Sequence, residues 1–129
     1  MKSKKQELIK EPLSNEALKL AQSLYSTYLQ NDKEPSICAY LDKLYHLFNL
    51  DDTTSSSKII LEIFEDLNEP VMVHDFVYRG KRYSEIMLTF CDYEKILKDN
   101  MECIRIEINE MYLEALKNYM LHPFLEIKN

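Results

Sequence analysis

The stretch PVMVHDFVYRGKRYSEIMLTF, residues 70–90, decides how the rest of the chain is read. Before it, apolar residues recur every three or four positions. After Pro70 they alternate, the spacing of strands rather than helices. One face of the first run carries Val71, Val73, Asp75 and Val77, and the other Met72, His74, Phe76 and Tyr78. In the second run Ile86, Leu88 and Phe90 alternate with Glu85, Met87 and Thr89. A period of two sets one face on a core and the other toward water. Arg79-Gly80-Lys81 between the runs is a short Gly-containing link, as a hairpin requires.

A third alternating run, Cys103 to Ile108, puts Ile104, Ile106 and Ile108 opposite Cys103, Arg105 and Glu107. The intervening link, Asp92 to Asn100, has room for a helical turn at YEKIL, residues 93–97.

Outside this region the helical period holds. From Ser14 to about Gln30 the apolar positions Ala17, Leu18, Ala21, Leu24, Tyr25, Tyr28 and Leu29 predict one buried helical face, with Ser14 or Asn15 as its cap. A second helix is expected from Pro35, whose missing N–H suits a first turn. Its stripe is Ile37, Tyr40, Leu41, Leu44, Tyr45 and Phe48, and it stops near Asn49-Leu50. A third, about residues 55–68, takes its cap from Thr53 to Ser56 and buries Ile59, Ile60, Ile63, Phe64 and Leu67, ending before Pro70. Asn109 caps a last helix that buries Tyr112, Leu113, Leu116 and Met120 and stops at Pro123. The tail FLEIKN adds a short strand or trails off.

The 129 residues, 46% hydrophobic and 29% charged, suit one globular domain, expected over residues 13–129 behind a flexible basic arm at 1–12. No apolar run approaches the roughly 20 residues that span a bilayer. No apolar segment follows the first lysines, so a secretory signal is not expected. Three widely spaced cysteines without a CxxC fit reduced thiols in a cytoplasmic protein, although paired strands allow Cys91 and Cys103 to become neighbours. The net charge of −6 opposes binding to phosphate backbones unless cations cluster locally.

Two stretches stand out. Tyr78-Arg79-Gly80-Lys81-Arg82-Tyr83 places three cations on a loop between two aromatics, where they reach phosphates or a narrow minor groove. The bland alternative is that loop tips are polar and cations guard strand edges. Thr54, Ser55, Ser56, Ser57 and Lys58 open the third helix, and small hydroxyls at a helix start suit phosphate contact, although ordinary capping is the simpler account of them. Glu62, Glu65, Asp66 and Glu69 make the rest of that helix acidic. His46, His74 and His122 show no metal-ligand spacing, Gly80 alone makes no phosphate loop, and an enzyme is not indicated. The nine tyrosines fit either a core with polar rims or a protein interface.

The passages Ile63-Phe64-Glu65-Asp66-Leu67-Asn68-Glu69-Pro70-Val71, Ile86-Met87-Leu88-Thr89-Phe90 and Ile104-Arg105-Ile106-Glu107-Ile108-Asn109-Glu110-Met111-Tyr112-Leu113 together resemble the N-terminal winged-helix domain of plasmid replication initiator (Rep) proteins. The last looks like that family's I-x-I-E-F-N-P-E-L-x-x-L, with Glu110 in place of its proline. The likeness spans roughly residues 35–120 and implies a winged helix that contacts DNA repeats or mediates dimerisation.

The expected fold is therefore α+β and winged-helix-like: three N-terminal helices, a small antiparallel sheet with a hairpin wing, and a C-terminal helix. The expected function is a non-enzymatic regulator of plasmid or phage type binding double-stranded DNA through Thr54 to Lys58 and Arg79, Lys81 and Arg82. The alternative is a homodimerisation or protein-interaction module without a nucleic-acid role. No membrane, small-molecule ligand, metal or cofactor is indicated.

Overall fold

Ser14 opens the first helix. Its hydroxyl accepts a hydrogen bond from the Ala17 amide at 3.1 Å, and α1 runs Asn15–Gln30. Ala17, Leu20, Ala21, Leu24 and Tyr28 form its buried stripe. Asp32 and Lys33 then take left-handed backbone, φ 55° and 60°, and turn the chain out of the helix. The computed structural model describes residues 13–120 and 124–125. The expected arm at 1–12, the stop at Pro123, His122 and most of the tail lie outside the described residues.

The expected helix from Pro35 is instead a strand followed by a short helix: β1 spans Ser36–Tyr40 and α2 spans Leu41–Leu47. Ile37, Tyr40, Leu41 and Leu44 fit a helical stripe, but tertiary pairing overrides it. β1 lies antiparallel to the last strand, β5 (Met101–Ile108), with Ile37 opposite Ile106 and Ala39 opposite Ile104. Pro35 stands just before this edge strand, a place that tolerates a missing N–H, and its carbonyl accepts from the Ile108 amide at 2.9 Å.

α3 spans Thr54–Leu67, capped by the Thr53 hydroxyl, which accepts from the Ser56 amide at 3.1 Å. Ile60, Ile63, Phe64 and Leu67 are buried as expected, whereas Ile59 is exposed. Asn68 ends the helix and joins it to the sheet. Its amide nitrogen donates to the Phe64 carbonyl at 2.9 Å, and its Oδ1 accepts from the Cys91 amide at 2.8 Å.

β2 (Val71–Tyr78) and β3 (Lys81–Leu88) form the expected hairpin, with Tyr78 opposite Lys81. Arg79 and Gly80 both have positive φ, 48° and 80°. A two-residue turn needs that backbone to match the twist of its strands, and only glycine adopts it without strain. One detail departs from simple alternation. Asp75 is left-handed at φ 53°, and pairing skips from His74–Glu85 to Phe76–Tyr83. The faces exchange at that point, so Val71 and Val73 point inward before it and Phe76 after it, while Val77 is exposed.

The expected helical turn at 93–97 is a strand. β4 (Cys91–Lys98) pairs along its whole length with β5 through a second tight turn, Asp99-Asn100, with φ 53° and 63°. Tyr93, Ile96 and Leu97 have helical spacing, but eight residue pairs with β5 decide the matter. β5 therefore does not extend the first hairpin, as a single small sheet would require. The strands form two sheets, β1-β5-β4 and β2-β3. α4 (Glu110–Asn118) follows β5 after Asn109, whose Oδ1 accepts from the Met111 amide at 3.0 Å and whose Nδ2 donates to the Thr89 carbonyl at 3.1 Å.

Among the described residues, four helices and two antiparallel sheets thus make an α+β fold around one core. Phe64 of α3 meets Tyr93 of β4 at 4.9 Å between ring centroids, and Phe90 meets Tyr112 of α4 edge-on at 5.5 Å. Asn68→Ala leaves the Cys91 amide without its acceptor and is expected to lower the unfolding free energy by about 1–3 kcal/mol. Urea denaturation of the two proteins measures this; a loss below about 0.5 kcal/mol would mean that the joint between α3 and β4 is held elsewhere.

Candidate functional site

The hairpin tip is held from below by a ladder of rings. Tyr78 and Tyr83 each stack on Phe76 with centroids 6.1 Å apart, and Phe76 meets Tyr119 edge-on at 5.0 Å. The Tyr119 hydroxyl accepts from the Val77 amide at 3.0 Å, tying the outer edge of β2 to the end of α4. These contacts anchor the backbone of the tip that carries the cations.

Those cations are exposed and lightly engaged. The Arg79 guanidinium lies 5.0 Å from the Tyr78 ring centre and 3.9 Å from Glu110 Oε1. Lys81 sits 5.0 Å over the Tyr83 ring, and Arg82 lies 3.6 Å from Asp75 Oδ1. Solvated pairs at such distances contribute about 0–1 kcal/mol, little enough for a phosphate to displace the carboxylate.

Tertiary packing adds groups that residues 78–83 do not announce. Glu110, in the first turn of α4, accepts a hydrogen bond from the Tyr28 hydroxyl at 2.8 Å through its second oxygen. The end of α1, the start of α4 and the hairpin tip therefore meet at one carboxylate. They enclose a groove of about 430 Å³ in which Lys33, Arg79 and Lys117 face Glu110 and Glu114, with Tyr25, Tyr28 and Tyr78 along its walls. Three cations and two carboxylates thus line one groove on a protein whose net charge is −6. Beyond Tyr78 and Glu110 the surface changes sign, in a second concavity of about 350 Å³ bearing Asp92 and Glu107. Lys33, Lys117 and Tyr28 were not legible as site residues, because only the chain reversal after α1 and the docking of α4 bring them to Arg79.

The start of α3 is placed differently. Ser56 and Ser57 are buried. The Ser56 hydroxyl lies 3.1 Å from that of Thr53, and the Ser57 hydroxyl accepts from Lys95 at 2.9 Å. Thr54, Ser55 and Lys58 are exposed. No hydrogen bond or ion pair among the described residues joins this turn to Arg79, Lys81 or Arg82.

His46 and His74 are exposed, and His74 Nδ1 lies 3.7 Å from Glu85. Among the described residues no group of three or more histidine, cysteine or carboxylate side chains gathers as a metal site. No helix among them is long and apolar enough to cross a membrane. The neighbouring cysteines are Cys38 and Cys103 rather than Cys91 and Cys103, because Cys91 stands opposite Ile108. Comparison with protein-family models, with characterised proteins and with solved structures finds no match to this chain.

Burial, and then the Glu110 carboxylate, push the Tyr28 phenol from 10.0 up to about 12. The protonated phenol therefore stabilises the fold fully below pH 10, and this contribution is lost as pH rises through about 12. Tyr28→Phe is expected to cost about 1–2 kcal/mol at neutral pH and to flatten the alkaline fall in stability across that window. Unfolding free energies of parent and variant from pH 7 to 12 measure both effects. Parallel curves would show that the Tyr28–Glu110 bond does not hold α1 to α4.

Proposed function

We propose that this chain is a non-enzymatic nucleic-acid-binding protein of winged-helix type, in which the β2–β3 hairpin is the wing and its tip meets the backbone of double-stranded DNA. The element order supports this reading: helix, strand, two helices and then a hairpin with a cationic tip. The observation that carries it is the convergence of Arg79 with Lys33 and Lys117 along a tyrosine-walled groove, beside exposed Lys81 and Arg82. Arginine and lysine neutralise phosphates, while tyrosine hydroxyls add phosphate contacts. The resemblance to the winged-helix domain of replication initiators points the same way, toward a protein acting at plasmid or phage DNA.

The charge balance limits the mode of binding. Glu62 and Glu65 are exposed on α3, and Ser56 and Ser57 are enclosed, so α3 is a poor reading head. Contact falls to the wing, and affinity is modest and salt-sensitive. Replacing Arg79, Lys81 and Arg82 together with alanine is expected to weaken duplex binding. It should also flatten the plot of log affinity against log salt by about 0.9 for each phosphate that the variant no longer neutralises. Fluorescence anisotropy on a labelled duplex across a salt series reads both, and an unchanged slope removes the wing from the interface.

A second reading, a homodimerisation or protein-interaction module, is favoured by one observation. Leu97 and Met101 flank the β4–β5 turn and remain 71% and 46% exposed. Sedimentation with and without duplex DNA separates the two readings: a dimer indifferent to DNA supports this one.

A further inference from the structure

Directly opposed residues of an antiparallel sheet share a face. On the outer face of β1-β5-β4, Cys38 stands opposite Arg105 and Tyr40 opposite Cys103, with Ile96 on the other side of Cys103. Cys38 and Cys103 are therefore diagonal neighbours, and their sulfurs lie 3.1 Å apart. Cys103 is completely enclosed, whereas Cys38, on the edge strand, is half-buried. Sequence spacing does not suggest this pair, because 65 positions separate its members.

We propose that Cys38 and Cys103 form an oxidation site, a cross-strand dithiol that a hydroperoxide converts to a disulfide joining β1 to β5. A disulfide needs its sulfurs about 2.05 Å apart, so side-chain rotation and a small adjustment of the edge strand complete the approach. Cys38 is the reachable partner. Its thiolate attacks one peroxide oxygen, the O–O bond breaks, and the departing hydroxide takes a proton to leave as water; Cys38 becomes a sulfenic acid. Cys103 sulfur then attacks Cys38 sulfur, the S–O bond breaks, and the oxygen leaves as a second water with the Cys103 proton. Two thiols lose two electrons and two protons, and hydrogen peroxide is reduced to two waters.

The third cysteine is excluded from this chemistry. Cys91 is buried, its sulfur accepts from Asn68 Nδ2 at 3.4 Å, and burial pushes its thiol up to about 11. The hydrogen bond with Cys38, followed by burial, raises the Cys103 thiol.

The test uses the whole reduced protein, treated in its folded state with hydrogen peroxide, then unfolded and alkylated with iodoacetamide. Two hydrogens should be lost, with one alkylation in place of three. Trypsin separates the cysteines into residues 34–43, 83–95 and 99–105, so the bond should join the first and third peptides. Cys91→Ser should keep the link and Cys38→Ser should abolish it. The oxidised protein should also unfold at higher urea than the reduced one. Three free thiols after treatment, a link through Cys91, or a bond between two chains would each overturn the proposal.

Discussion

The isoleucine face of β5 constrains everything else. Ile104, Ile106 and Ile108 are essentially solvent-free, and a strand so buried must have both edges paired. β1 satisfies one edge and β4 the other. That requirement makes residues 36–40 extended in spite of their helical spacing, and makes residues 91–98 a strand. It also sets the start of α4, because β5 ends at Asn109, whose side chain caps that helix and grips Thr89. Once α4 is placed, Glu110 and Tyr119 are placed too, and with them the outer edge and tip of the first hairpin.

The proposed binding surface therefore stands several steps from the residues that compose it. Arg79 is oriented by Tyr78 and Glu110, Tyr78 by Phe76, and Phe76 by Tyr119 at the end of α4. Sharing Glu110 between Tyr28 and Arg79 has a double consequence. It fixes α1 against α4, and it holds a negative charge inside a groove that would otherwise be more strongly cationic. On the proposed reading, long-range repulsion from an acidic protein offsets local attraction in such a groove and keeps contact with a polyanion weak and reversible.

Several parts of the fold were legible because they rest on local chemistry. Ser14, Thr53 and Asn109 cap the helices that the spacing assigns to them, and the hairpin turn sits where Gly80 permits positive φ. The misread segments are those where two periods fit the same residues. Ile37, Tyr40, Leu41 and Leu44 suit a helix by spacing, as do Tyr93, Ile96 and Leu97, and only a partner strand resolves the ambiguity. Asp75 is a further case: one left-handed residue exchanges the faces of β2, and an aspartate does not announce that conformation in advance. Of the candidate contacts, the hairpin cations were visible as a charge cluster. The fate of Ser56 and Ser57 was not, since it depends on where Lys95 and the neighbouring core fall.

The capped helices α1, α3 and α4, the first hairpin and the cationic tip can be read from the residues alone, because each depends on side chains a few positions apart. Only the packed chain sets β5 between β1 and β4, brings Lys33 and Lys117 into one groove with Arg79, and brings Cys38 to Cys103. Those outcomes follow from burying one apolar strand and satisfying its two hydrogen-bonding edges, a condition that joins residues dozens of positions apart and leaves no mark on any one segment.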